Sequence, residues 1–157
     1  MTVSILTMKR AVLGGLSVAA LVSTTGAPAV SAAEQSRKLH VIKECSEYTG
    51  AAGDWCTVTV SNIRRIPVGA KVLYSQAAGV PVGLLDSNVV LDAGDGNRAV
   101  GRCTLDLATG LGLCTFYDGT GQLAGFEARV DVTCPSRDGR AEDCDWDGTY
   151  GFNPGRD

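Results

Sequence analysis

The chain alternates hydrophobic and polar residues one by one over several short stretches. The clearest stretch is FEARVDVTC at residues 126–134, in which nearly every second residue is apolar. A period of two predicts a β-strand with one face on a core and the other in water. Related patterns predict strands over 39–45, 56–63, 70–76, 82–92, 103–107 and 145–152, and the segment LGLCTFYDG turns back after residue 107.

No segment after Ala33 carries a long apolar stripe of helical spacing. The predicted fold is therefore all-β, with about eight short antiparallel strands separated by Gly, Asp and Pro turns. It forms a single domain over 33–157. Such strands close into a β-barrel or, alternatively, pair as a β-sandwich, and their spacing does not decide between the two.

Six cysteines follow residue 44, in three pairs with ten, ten and nine residues between the partners. An even number of cysteines in an exported chain predicts a disulfide framework. Sequential pairing is the simplest arrangement: Cys45–Cys56, Cys103–Cys114 and Cys134–Cys144. If Cys103 lies opposite Cys114, the hairpin loop is 107–110, and Gly110 stands where a short loop often needs a positive φ.

The N-terminal 32 residues have the features of a secretory signal peptide. Lys9 and Arg10 precede the short apolar run AVLGGLSVAALVS, and small residues follow around Ala32. The run is too short to span a bilayer. We therefore predict that residues 1–32 are removed and that the mature protein is extracellular.

The charge balance excludes some partners. The full chain has a formal charge of −3, and removal of residues 1–32 leaves 12 basic against 17 acidic residues. A mildly acidic chain without basic clusters is a poor ligand for nucleic acid or a membrane surface. We predict neither partner.

The segment DCDWDG at residues 143–148 has the two-residue spacing of oxygen ligands that opens a calcium loop. The twelfth position of such a loop needs a bidentate carboxylate, but this chain has Pro154 there. A turn at 147–149, with Cys144 tied back to Cys134, is the preferred interpretation. Zinc is also not expected, because the chain has one histidine, His40, and no close cysteine pair. No metal site is predicted.

Three segments between Val80 and Gly151 carry a resemblance to a known family. They are LLDSNVVLDAGDGNRAVGRCTL, GLGLCTFYDGTGQLAGF and DWDGTYGF. In these segments the chain resembles the allene-oxide-cyclase-barrel and dirigent-like superfamily of eight-stranded β-barrels. The resemblance implies a barrel that confines a small hydrophobic molecule and cyclises it or steers its coupling, without a cofactor.

The resemblance also implies roles for particular residues. Asn88 matches the position at which the cyclase branch holds a water or a substrate oxygen, and Asp86 is the nearest candidate for an acid that polarises an intermediate. Cys103 falls near a pocket cysteine of the cyclase branch, but its predicted disulfide would remove its polarity. The predicted walls of the ligand site are Tyr74, Tyr117, Phe126 and Trp146, with Phe116 beside them.

The pattern alone leaves the direction of Asp86 and Asn88 open. These residues share one strand face with Val82, Leu84 and Val90, and the other face carries Leu85, Val89 and Leu91. Because both faces carry apolar residues, either face could be the inner one. If the apolar set faces the core, Asp86 and Asn88 point to water.

Other catalytic arrangements fit the chain less well. His40 has no nucleophile motif near it, and the carboxylates of 138–145 crowd into one loop instead of flanking a cleft. Three hypotheses follow: a barrel enzyme of the isomerase class, a ligand-binding barrel without chemistry, and a secreted interaction protein such as a hydrolase inhibitor. A filled interior would argue against the first two, and an exposed apolar loop would favour the third. From the sequence, the candidate loop is 64–67.

Overall fold

The computed structural model describes residues 36–137, 140–141 and 143–153. Eight strands form a closed antiparallel barrel in the order β1-β10-β7-β6-β5-β4-β3-β2. The barrel strands are β1 (Arg37–Glu44), β2 (Trp55–Ser61), β3 (Lys71–Tyr74), β4 (Leu84–Asp92), β5 (Arg98–Asp106), β6 (Leu111–Gly119), β7 (Phe126–Thr133) and β10 (Asp143–Phe152). This confirms the predicted all-β class, and of the two predicted alternatives the fold is a β-barrel and not a β-sandwich. The predicted signal peptide, 1–32, lies outside the described residues.

Two small elements accompany the barrel. The strands β8 (Ser136–Arg137) and β9 (Arg140–Ala141) pair as a short hairpin, and a 3-10 turn covers Gly121–Leu123. That turn is the only helical segment in the described part of the chain. Leu123 is buried and belongs to the hydrophobic core.

All three predicted disulfides are present, and each joins two neighbouring strands or their ends. Cys103 pairs directly with Cys114 across β5 and β6, as the hairpin arithmetic predicted. Gly110 has φ 69°, and a Cβ at this position would stand 2.1 Å from the carbonyl oxygen of Cys134. The sequence thus predicted both the register of this hairpin and the reason for its glycine.

Removal of one of these cystines is expected to destabilise the barrel without abolishing the fold. The double variant Cys103→Ala/Cys114→Ala opens a loop of 11 positions. The chain-entropy treatment gives a loss of about 3 kcal/mol for a loop of this size. Urea unfolding of the variant and the parent protein measures the difference, and a loss well below about 1 kcal/mol would contradict the expectation.

The acidic segment predicted to contain a turn is instead part of one continuous strand. Residues 143–152 form β10, and Asp147 pairs with Asp131 of β7 and His40 of β1 in mid-strand. The turn at 147–149 was therefore a wrong prediction. Gly148 is required by close approach, because a Cβ there would lie 2.1 Å from the carbonyl oxygen of Arg129.

One end of the barrel, which we call the loop end, carries the loops 45–54, 75–83 and 107–110 and the connection from β7 to β10. The loops bond to one another in sequence around the rim. Ala78 N–H donates to the Gly50 carbonyl, and Leu107 N–H donates to the Gly83 carbonyl, both at 2.9 Å. These bonds fix the β3–β4 loop between its two neighbours.

Candidate functional site

The two residues predicted to be catalytic lie on the outer wall of the barrel. Along β4, Leu85, Ser87 and Val89 are buried, whereas Asp86 and Asn88 alternate with them and face outward. Asp86 Oδ2 accepts a hydrogen bond from Arg102 Nη2 at 2.7 Å. Of the two directions that the sequence left open for this pair, the structure has the outward one, because the larger apolar set of β4 takes the core. A role inside the barrel is not open to either residue.

The predicted walls divide between the two faces. Tyr74, Phe126 and Trp146 are buried inside the barrel, whereas Tyr117 is 54 % exposed. Tyr117 is the extra residue of a β-bulge, because the β5–β6 register shifts between Val100 and Gly101. Its ring faces outside, as the alternation with inward-facing Cys114 and Phe116 requires.

Side chains fill the barrel interior over the described residues. Phe116 lies between Phe126 and Trp146, with ring centroids 5.9 and 5.5 Å away. Many of the inward-facing residues have almost no surface that water can reach, among them Val58, Val72, Ala99, Val130, Trp146 and the six cysteines. This packing resembles a solid core more than a chamber for a ligand.

One inward-facing residue is a lysine. Lys43 is 2 % exposed, and its Nζ lies 5.6 Å from the Tyr74 ring centroid and 5.4 Å from that of Trp146. Nζ also contacts the sulfurs of Cys45 and Cys56 at 3.7 and 3.8 Å. Burial lowers the pKa of Lys43 to about 7.

The sequence carried a signal for this lysine that the prediction did not use. Lys43 shares strand parity with Leu39, Val41 and Cys45, all of which are buried. An alternating pattern that includes one lysine among core residues indicates either a strand end or a buried amine. Here it is a buried amine.

The loop end presents an apolar surface, which we call the apolar patch. Val82 is 96 % exposed and Val80 is 71 % exposed, and the patch consists of Val80, Val82, Leu84, Leu107 and Leu111. The hydrogen bond between Leu107 and Gly83 joins its two halves. Exposed apolar residues grouped in this way are typical of interaction sites.

Acidic residues lie at the same end of the barrel as the apolar patch. Glu47, Asp54, Asp106 and Asp143 lie in or beside the loops of this end. Hydrogen bonds from Thr49 lower the pKa of Asp54, and backbone hydrogen bonds from the 107–110 loop do so for Asp106. None of the residues in these three loops is basic, whereas the sequence between β7 and β10 contains Arg137 and Arg140. The three loops therefore combine apolar surface with negative charge.

The loop nominated from sequence, 64–67, is less suited to binding. Ile66 is buried, and Arg65 lies over the Phe152 ring at 4.1 Å and donates to the Gln122 carbonyl at 3.1 Å. These contacts hold the loop against the barrel end opposite the apolar patch. The better candidate is the β3–β4 loop, whose Val-Pro-Val sequence the prediction did not single out.

Three further features of the described residues bear on possible chemistry. His40 Nδ1 lies 2.8 Å from Asp147 Oδ1 on the outer wall, and none of the hydrogen bonds in the described part of the chain links this pair to a Ser, Thr or Cys side chain. Among the residues that the structure describes, no group of three or more His, Cys, Asp and Glu could hold a metal ion. A cavity of about 370 Å³ on the outer wall is lined by Thr115, Glu127 and Arg129, beside Ser36.

No protein-family model, curated protein or solved structure matched the chain. The resemblance to the allene-oxide-cyclase-barrel and dirigent-like superfamily therefore stays a prediction. Within residues 36–137, 140–141 and 143–153, no helix is both long and apolar enough to cross a membrane.

Proposed function

We propose that this protein is a secreted, disulfide-stapled binding protein that acts through the apolar patch on a protein partner. The partner has an apolar cleft bordered by basic residues. The observation that carries the proposal is Val82, a large aliphatic side chain that is 96 % exposed at the tip of an anchored loop. Three intramolecular disulfides are compatible with an extracellular location.

The filled interior favours a surface function over an interior one. A ligand inside the barrel would have to displace buried aromatic side chains or a cystine, and overpacking a dense core is destabilising. The exposed surface of the loop end requires no such change. An interaction protein is therefore the hypothesis that the packing supports best.

The loop that carries Val82 is held in one conformation by its own hydrogen bonds. Gly79 N–H donates to the Leu84 carbonyl at 2.7 Å, and Leu84 N–H donates to the Pro81 carbonyl at 3.1 Å. Together with the bonds to Gly50 and Leu107, they anchor the loop on both sides. A loop that is already ordered loses little conformational entropy on binding, and this favours affinity.

The acidic surroundings indicate the charge of the partner. Carboxylates around an apolar contact speed association with a basic surface and disfavour acidic ones. We therefore expect the affinity, and above all the association rate, to fall as the salt concentration rises.

Site-specific photo-crosslinking identifies and tests the partner. A benzophenone amino acid is placed at position 82, or at position 68 as the control, and the secreted protein is irradiated in its own medium. Val68 is 67 % exposed but lies in the loop after β2, at the opposite end of the barrel. We expect a discrete cross-linked protein from position 82 and none from position 68.

Calorimetry with the identified partner then decides whether the contact is specific. Val82→Asp should weaken binding by about 30-fold or more, as loss of a central apolar anchor does. Val68→Asp should change it by less than about twofold. Equal effects of the two variants, or the same cross-linked products from both positions, would refute the proposal.

An interior ligand has one observation in its favour. Tyr48 Oη and Trp146 Nε1 are buried without a hydrogen-bond partner among the described residues, and such atoms are uncommon in a finished core. Native mass spectrometry of the secreted protein tests this second candidate. A co-purifying small molecule would support the barrel as a ligand carrier or cyclase, and a bare mass with no shift on adding hydrophobic probes would count against it.

A further inference from the structure

We infer that Lys43 and the two cystines beside it form an internal thiol–disulfide exchange site. In this site a dithiol reductant converts the native pair Cys45–Cys56 and Cys134–Cys144 into a single Cys45–Cys144 crosslink. The inference is independent of the proposed binding function. It depends on the contacts of three groups inside the barrel.

The first contact joins the two cystines. Cys45 Sγ lies 3.9 Å from Cys144 Sγ, although each sulfur is bonded to a different partner. This proximity follows from the barrel topology, because β1 pairs with β10 on one side and with β2 on the other. Cys45 and Cys144 thus meet across the boundary between the first and last strands. The third cystine, Cys103–Cys114, has no sulfur contact of this kind within the described residues.

The second contact places an amine beside the leaving sulfur. Lys43 Nζ is 3.7 Å from Cys45 Sγ and 3.8 Å from Cys56 Sγ. Thiolates are the reactive species in exchange, and a nearby cation stabilises them. None of the ion pairs in the described part of the chain involves Lys43, so no carboxylate competes for its charge.

The exchange consists of a reduction followed by an intramolecular attack. The dithiol reduces Cys134–Cys144 to two thiols and is itself oxidised to a disulfide. The Cys144 thiol loses its proton to the solution, and its thiolate attacks Cys45 Sγ, which lies 3.9 Å away. The Cys45–Cys56 bond breaks, its electron pair leaves on Cys56, and the Cys56 thiolate takes a proton from the Lys43 ammonium.

The opposite order of reduction gives the same product. If the dithiol first opens Cys45–Cys56, the Cys45 thiolate attacks Cys144 and releases Cys134. Both orders end with Cys45–Cys144 bonded and with Cys56 and Cys134 as free thiols. The product is thus a signature of the sulfur contact and not of which cystine the reductant reaches first.

Limited reduction of the wild-type protein tests the inference. The oxidised protein is treated with substoichiometric dithiothreitol, quenched with N-ethylmaleimide and mapped by peptide mass spectrometry. We expect a Cys45–Cys144 peptide with alkylated Cys56 and Cys134. Alkylation only in native pairs, Cys134 with Cys144 or Cys45 with Cys56, would overturn the inference.

The role of Lys43 is tested by the rate of exchange. Lys43→Met should slow appearance of the Cys45–Cys144 peptide roughly tenfold, the effect of one pKa unit in thiolate stability. Reduction of Cys103–Cys114 in the same sample provides the internal control and should keep its rate. An unchanged exchange rate would remove Lys43 from the site.

A pair of double variants tests the contact without any reductant. Cys56→Ala/Cys134→Ala leaves Cys45 and Cys144, which should oxidise to each other as the protein folds. Cys45→Ala/Cys134→Ala leaves Cys56 and Cys144, whose sulfurs make no contact in the described structure, and these should stay as thiols. If the first variant also retains two free thiols, Cys45 and Cys144 are not positioned for exchange.

Discussion

Lys43→Met is expected to stabilise the protein by about 3 kcal/mol near pH 6.5. The burial that lowers the lysine pKa from 10.5 to about 7 corresponds to about 5 kcal/mol of penalty on the ammonium form. Substitution also removes the contacts of the amine with the Tyr74 and Trp146 rings, so the expected gain is smaller than this penalty. Methionine keeps the unbranched chain in the core and removes the charge.

The same substitution should remove a pH dependence of stability. Between pH 7 and 10.5 the unfolded state holds the lysine proton and the folded state does not, so the wild-type free energy of unfolding rises with pH in this window. Below pH 7 both states are protonated and the penalty is constant. Burial raises the pKa values of Tyr74 and Tyr48, which lowers stability only above about pH 10.

Urea unfolding at half-unit steps from pH 6 to 9.5 measures both effects. The wild-type protein should gain stability over this range, and Lys43→Met should start higher and stay nearly level. Lys71→Met is the matched control, because Lys71 is exposed and lies over the Trp55 ring at 4.5 Å. A wild-type slope that persists in Lys43→Met would show that another group titrates.

Trp146→Ala is expected to cost about 3–5 kcal/mol of unfolding free energy. Trp146 is fully buried, its ring packs against Phe116, and Lys43 lies over it. Truncation of a buried large aromatic residue leaves a cavity that the barrel wall cannot close. For a domain of this size the loss is a large part of the total stability.

The second tryptophan of the chain provides the control. Trp55 is partly exposed in β2 and contacts Lys71, so Trp55→Ala should cost only about 1 kcal/mol. Guanidinium unfolding followed by far-UV circular dichroism measures both variants. If Trp146→Ala does not fold, Trp146→Phe should still unfold at lower denaturant than the parent. Equal losses for the Trp146 and Trp55 alanine variants would contradict a core role for Trp146.

The architecture was predictable from sequence where it depends on residues that are close together along the chain. The alternation of 126–134, the cysteine spacings and Gly110 each depend on neighbours within one hairpin, and all three were confirmed. Barrel closure was not predictable, because it depends on the pairing of β1 with β10, which lie far apart in sequence. Spacing along the chain carries no information on that pairing.

The site was predicted less well for a different reason. On β4 both strand faces carried apolar residues, and only the packing of the whole barrel decides that Leu85 and Val89 face inward while Asp86 faces outward. Tyr117 and Phe116 are adjacent on β6, so they face opposite sides of the barrel wall and cannot both line its interior. The parity of Lys43 with core residues is a weak signal, because lysine is rarely buried.

The placement of the cystines also sets the order in which the chain can assemble. Each cystine spans only 10 or 11 positions, whereas His40 of β1 meets Asp147 of β10 across 107 positions. Short loops close far sooner than long ones. Oxidation can therefore finish in three separate hairpins while β1 still has an unpaired edge. The last event is the non-covalent pairing of β1 with β10. Until it occurs, the free edges of both strands leave a fully oxidised chain exposed to edge-to-edge association with other copies.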